Sequence, residues 1–179
     1  MPPCAILLCD MISRLRDWRG AMRRTILVVG MLWTLGCAVG IAAAQPADIS
    51  GEWVLNRQAS TLSPAMAGVE SGVLRIEHQE PRVRIHLTLV TAGKPFETSY
   101  ERPSDGREVT ETQQGRTTVS SIKWGTDSLV FAARTKSGEV EGSITVRYEL
   151  QPGGRRVRAV EKIRGGGRDQ DNIWVFERR

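Results

Sequence analysis

The sequence predicts an all-β protein: an antiparallel up-and-down β-barrel of about eight to ten strands, preceded by a signal peptide. Three observations predict it. Apolar and polar residues alternate at period two through many short stretches, clearest where Val83, Ile85, Leu87 and Leu89 interleave with Arg82, Arg84, His86 and Thr88. Turn-forming groups recur between those stretches, and a basic, apolar and then small-residue segment runs directly into the first of them.

That leading segment comes first in chain order. Arg23 and Arg24 form a positive start, residues 25–39 an apolar core, and Ala42-Ala43-Ala44 a small-residue stop. Gly30 and Gly36 interrupt the core and Gly40 follows it, and the run falls short of the ~20 apolar residues that a bilayer crossing requires. Residues 1–44 therefore read as a signal peptide and 45–179 as one barrel domain, periplasmic or secreted, with no stable membrane insertion. Residues 1–21 read either as an extended basic region or as a misassigned start ahead of Met22. Leu35-Gly36-Cys37 offers a second export reading, a lipoprotein anchored through Cys37.

The alternation and the turns then place strands at 52–57, 72–79, 82–91, 95–103, 106–112, 115–124, 128–135, 140–151, 154–164 and 171–178. Ala92-Gly93-Lys94, Ser104-Asp105-Gly106, Gln114-Gly115, Ser137-Gly138 and Pro152-Gly153-Gly154 supply turn chemistry between neighbours. Between the first two strands, residues 59–68 have room for a helical turn, but Ser63-Pro64 limits it to a short helix or loop. Short alternating strands alone do not separate a barrel from a sandwich. Closure favours the barrel, because it removes exposed strand edges.

Composition narrows the function classes. Of 25 basic and 20 acidic residues, five arginines and two aspartates lie in residues 1–44, which leaves 20 and 18 and a net charge of +2. That balance does not point to a nucleic-acid partner, which calls for a concentrated basic patch. Cys4, Cys9 and Cys37 all precede residue 45, so the barrel has no internal disulfide to form. With two histidines in the whole chain and no dense carboxylate group, the common zinc sites cannot be assembled, and no cofactor is implied. Ser120 and Ser121 have no evident triad partners. The chain reads as a non-enzyme and a monomer.

Ser50-Gly51-Glu52-Trp53, with Leu55-Asn56 and Ser60, resembles the opening of the small secreted bacterial lipocalin-like proteins. The G-x-W start is shared by the wider calycin group. In that group the tryptophan closes one barrel end and a basic side chain from the last strand packs over it. The resemblance implies that Gly51, Trp53 and Arg178 close this barrel. It also implies a role in binding a small hydrophobic or amphipathic ligand. The chain departs from lipocalins proper in having no disulfide, and from fatty-acid-binding proteins in lacking room for their lidding helix pair. A guanidinium on an indole is worth about 0.5–2 kcal/mol on general grounds, whatever the family.

A few polar side chains stand in the apolar phase of their strands: His78, Tyr100, Tyr148 and Glu161. Buried polar groups cost free energy unless satisfied, so these four are the candidate ligand-binding residues. Ala159-Val160 blurs the phase before Glu161, and a one-residue bulge there would turn the carboxylate outward. His78 lies just before Glu80-Pro81, where a wet barrel rim is the other reading. Trp124, Trp174 and Phe176 read as core or end plug. Arg156, Arg158, Lys162 and Arg164 read as a solvated outer stripe. Two readings follow the ligand carrier. One is a filled barrel acting as an envelope interaction module without a small-molecule ligand. The other is an enzyme using Glu161 or His78 as acid or base. A cavity beneath Leu87, Phe131 and Tyr148 separates the carrier from the filled barrel.

Overall fold

Ten strands form one antiparallel sheet in the computed structural model, which describes residues 48–167 and 169–179. They are β1 (Gly51–Leu55), β2 (Val69–Gln79), β3 (Arg82–Thr91), β4 (Lys94–Pro103), β5 (Val109–Gln113), β6 (Arg116–Trp124), β7 (Ser128–Ser137), β8 (Val140–Leu150), β9 (Arg156–Gly165) and β10 (Gln170–Arg178). The signal peptide, the alternative start at Met22 and the lipoprotein reading at Cys37 lie outside the described residues.

Each strand pairs with its neighbour in sequence except across one boundary. β1 also pairs with β10, so the sheet order runs β4-β3-β2-β1-β10-β9-β8-β7-β6-β5 and curls into a nearly closed barrel. Tight turns join the strands where the sequence places them. Ala92 and Gly93 at φ 50° and 70°, and Gln114 and Gly115 at 51° and 76°, are two-residue turns with both central residues left-handed. That geometry matches the natural twist of paired strands.

Closure is incomplete, which corrects the expectation that the barrel has no free edges. β4 and β5 stand at opposite ends of the sheet order and share no ladder. After β4 the chain crosses to the end of β6, where Gly106 N–H donates to Ile122 O at 2.8 Å. The left-handed Gly106, φ 84°, and the Asp105 carboxylate accepting from Arg107 N–H make a turn there. The fifth strand therefore starts at Val109 rather than 106. Across the resulting seam reaches Arg102, buried on β4: its Nε donates to Ser120 Oγ at 2.8 Å and its Nη2 to Glu111 at 2.7 Å.

Period-two alternation sorts the side chains as expected. Trp53, Ile76, Val83, Ile85, Ile122, Leu129 and Val157 are fully enclosed and pack the end where β1 begins. Trp53 Nε1 donates to Ile49 O at 3.1 Å, and the Arg178 guanidinium lies 4.3 Å from the Trp53 ring centroid. Gly51 leaves room for that guanidinium, since a Cβ there would sit 3.2 Å from Arg178 Nη1. The last residue returns to the start of β1 at this plugged end, where Arg179 N–H donates to Glu52 O at 3.0 Å.

At the other end the chain leaves β1 after Asn56 and rejoins β10 through a bridge between Thr61 and Ile173. A single 3-10 turn, Pro64–Met66, follows, and Leu62 and Met66 pack on the core. The outer stripe is dispersed by opposite charges: Arg156 pairs with Glu177, Arg158 with Glu149 and Arg164 with Asp171. Among the described residues no helix is long and apolar enough to cross a membrane, and no group of three or more acidic, histidine or cysteine side chains is arranged to hold a metal.

Candidate functional site

Strand phase decides which side chains reach the interior. β9 pairs with β8 and β10 without a register shift: Val146 faces Glu161, and Glu161 faces Asn172. Because no bulge intervenes, Glu161 keeps the inward phase of Val157 and Ala159. β8 brings Tyr148 and Val146 inward, β4 brings Tyr100 and Thr98, and β10 brings Asn172, Trp174 and Phe176.

These side chains do not fill the barrel. A cavity of about 280 Å³ remains, walled by Leu74, Leu87, Phe131, Val146 and Phe176 among others, with Thr98, Thr118, Tyr100, Tyr148, Glu161 and Trp174 as its polar or amphipathic lining. Arg116 and Thr135 lie where it approaches the unplugged rim. Thr98 and Tyr100 on β4 and Thr118 on β6 put one wall of the cavity against the seam. A wider hollow of about 590 Å³ lies on the outer face and rim, among Thr117, Arg134, Glu141 and Ser143. It is a shallow surface groove and encloses nothing.

The polar groups of the cavity form two units. The Tyr100 and Tyr148 hydroxyls are 3.0 Å apart and share one hydrogen, and the Tyr100 ring stacks on Phe131 with centroids 4.1 Å apart. Tyr100 is partly exposed as a residue, but its hydroxyl is enclosed. Burial, then the neighbouring Tyr148, holds its phenol well above the ordinary range. Burial raises Tyr148 as well. Both phenols are therefore neutral donors or acceptors at physiological pH.

Glu161 anchors the second unit. Its Oε2 accepts from Asn172 Nδ2 at 2.8 Å and from Trp174 Nε1 at 3.0 Å. Asn172, 1% exposed, also accepts from Ser63 N–H through Oδ1 at 2.7 Å. Donor and acceptor chemistry on its two sides fixes the orientation of the amide. Asn172 thus ties the Pro64–Met66 turn at the rim to the carboxylate in the cavity wall.

Three of the four polar residues expected inside, Tyr100, Tyr148 and Glu161, come together at this cavity. His78 does not. It keeps the inward phase of Leu74 and Ile76 but sits at the plugged end, its ring centroid 5.2 Å from that of Trp124. Its Nε2 lies 2.8 Å from Glu80 and 3.4 Å from Trp124 Nε1. Phase fixes the face of a strand and leaves the height along the barrel axis open. Trp174 and Phe176, read as core or plug, also wall the cavity. Asn172 shares their phase, and that alternation was the available signal for it.

No protein-family model and no curated protein matches the chain. Among solved structures it is similar to a secretory abundant heat soluble protein of Ramazzottius varieornatus, at 11% identity and TM-score 0.49 over 73% of this chain and 95% of that one. Human cRBP IV aligns at 18% identity and TM-score 0.44, over 75% and 100% of the two chains. A fatty-acid-binding protein from Drosophila melanogaster brain aligns at 15% identity and TM-score 0.40, over 70% and 95%.

Proposed function

We propose that this protein is an exported, lipocalin-like carrier that sequesters a small hydrophobic or amphipathic molecule inside its barrel. The observation that carries the reading is the cavity of about 280 Å³ beneath Leu87, Phe131 and Tyr148. A filled barrel would have closed that space with side chains, since interiors normally pack without voids larger than a water molecule. Apolar walls with a few convergent polar groups are the usual build of a small-molecule pocket. The volume, about 280 Å³, falls just below the ~300–1,000 Å³ such pockets span, so the occupant is small. Export is supported by the basic, apolar and small-residue run of residues 23–44. The mechanism is binding without chemistry, with Trp53 and Arg178 closing one end.

The interaction-module reading draws support from a different feature. β4 and β5 present unpaired edges, and Phe96 on β4 is 61% exposed. Such edges accept an added strand from a partner. Native mass spectrometry of the protein purified without detergent, compared with its denatured mass, tests the choice. A retained small molecule, or uptake from a panel of short-chain lipids, supports the carrier. A bare protein that takes up nothing refutes it and directs attention to the β4 and β5 edges.

A further inference from the structure

The charge pattern inside the cavity restricts what can enter it. Both protein donors to Glu161, Asn172 and Trp174, converge on Oε2. Among the described residues no protein donor reaches Oε1, and Glu161 enters none of the ion pairs. Glu161 is half-buried, both of its protein donors are neutral, and Oε1 is the side of the carboxyl group left for a ligand to meet. A cation or strong donor arriving from the cavity would complete it.

A ligand anion would find no enclosed cation. The titratable lining consists of Glu161, the two tyrosines and Arg116, and Arg116 is exposed at the rim. Arg102, two residues beyond Tyr100 in the same phase, is committed elsewhere. Its three nitrogens donate to Ser120 Oγ, to Glu101 O and to Glu111. A carboxylate head driven into the cavity would face Glu161 with no enclosed cation to receive it.

Resting on the carrier reading above, we propose that the cavity takes a small lipophilic amine, its ammonium on Glu161 Oε1 and its apolar body against Leu74, Leu87, Phe131 and Phe176. The shared hydrogen of the tyrosine pair leaves one O–H free to donate, so a neutral polar group on the same ligand has a partner 

there. At roughly 30 Å³ per water-sized group, the cavity of about 280 Å³ holds about nine such groups. Octylamine has that size.

The test is calorimetric titration of the purified protein at pH 7 with octylamine, octanol and octanoate, which share one chain and differ in the head. Octylamine is expected to bind at least about tenfold tighter than octanoate, the scale of one charge-assisted hydrogen bond. Glu161→Gln, whose amide keeps the side-chain volume, is expected to erase that preference, so that octylamine binds no tighter than octanoate. Octanoate binding as tightly as octylamine overturns the amine assignment and leaves the carrier reading standing. An amine preference that survives Glu161→Gln also overturns it. If none of the three binds, the carrier reading falls with it. Should the variant fail to fold, the wild-type ranking of amine against acid decides alone.

Discussion

Replacing Arg102 by methionine tests whether the seam between β4 and β5 is held by that one side chain. The guanidinium is 8% exposed as a residue and makes three bonds, to Ser120 Oγ, Glu101 O and Glu111. Hydrogen bonds to charged groups contribute about 1.5–3 kcal/mol each where they are sheltered. Ser120 is 2% exposed and qualifies, whereas the Glu111 side chain is 58% exposed and its ion pair is worth at most about 1 kcal/mol. Methionine keeps the stem packing but leaves Ser120 and the Glu101 carbonyl short of a donor, so the expected loss is about 2–4 kcal/mol. Unfolding entropy near 2.1 cal/mol/K per residue over about 130 residues makes each kcal/mol worth about 4 °C in Tm. Scanning calorimetry should therefore show Arg102→Met melting about 8–16 °C below wild type, and Glu111→Gln no more than about 4 °C below. Hydrogen exchange should quicken in β4 and β6 ahead of the other strands. An Arg102→Met chain as stable as wild type would refute the reasoning: desolvation of the guanidinium would then cancel its bonds.

Three further outcomes follow from the same contacts. Arg178→Ala, which uncovers the Trp53 ring, should cost about 0.5–2 kcal/mol by chemical denaturation, and Arg178→Lys less. Gly165→Ala should cost about 1–3 kcal/mol, because Gly165 has φ 91° and its Cβ would stand 2.4 Å from Glu141 O; an unchanged midpoint would show that the β8–β9 rim yields freely. The alkaline limb of stability should report the tyrosine pair. Unfolded tyrosine ionises near pH 10, while the folded phenols are held above that value, so above pH 10 the folded chain binds more protons. Stability then falls as pH rises, by up to about 1.4 kcal/mol per unit for each tyrosine, and Tyr100→Phe should flatten that slope relative to wild type.

The strands were legible because one face of each is buried and the other wet, which period-two alternation records directly. Tyr100, Tyr148 and Glu161 stood out as polar side chains in an apolar phase, and that reading depended on β9 carrying no bulge before Glu161. Height along the barrel was not legible. His78 obeys the same phase as Leu74, yet the stagger of the strands carries it to the plugged end beside Trp124. Asn172 and Arg102 satisfied the same criterion as Glu161. Asn172 alternates with Trp174 and Phe176, and Arg102 follows Tyr100. Their partners, Ser63 and Glu111, come from segments whose approach no local pattern records. The seam was hidden for a related reason: alternation specifies which face of β4 and β5 is buried and says nothing of whether their edges meet.

The pairing of β1 with β10 has a practical consequence for engineering. Residue 48 and Arg179 both leave the barrel at the end sealed by Trp53, remote from the rim where Arg116 and Thr135 border the cavity. A reporter, affinity handle or surface tether fused after Arg179 would hang behind the barrel and leave its entrance unobstructed. Residue 48 and Arg179 are also near enough to be spliced by a short linker, and the chain reopened at Gln114-Gly115, a left-handed turn with open space around the glycine. Such a permuted barrel would begin with β6 and end with β5, placing both new termini at the turn of the hairpin that forms one edge of the sheet.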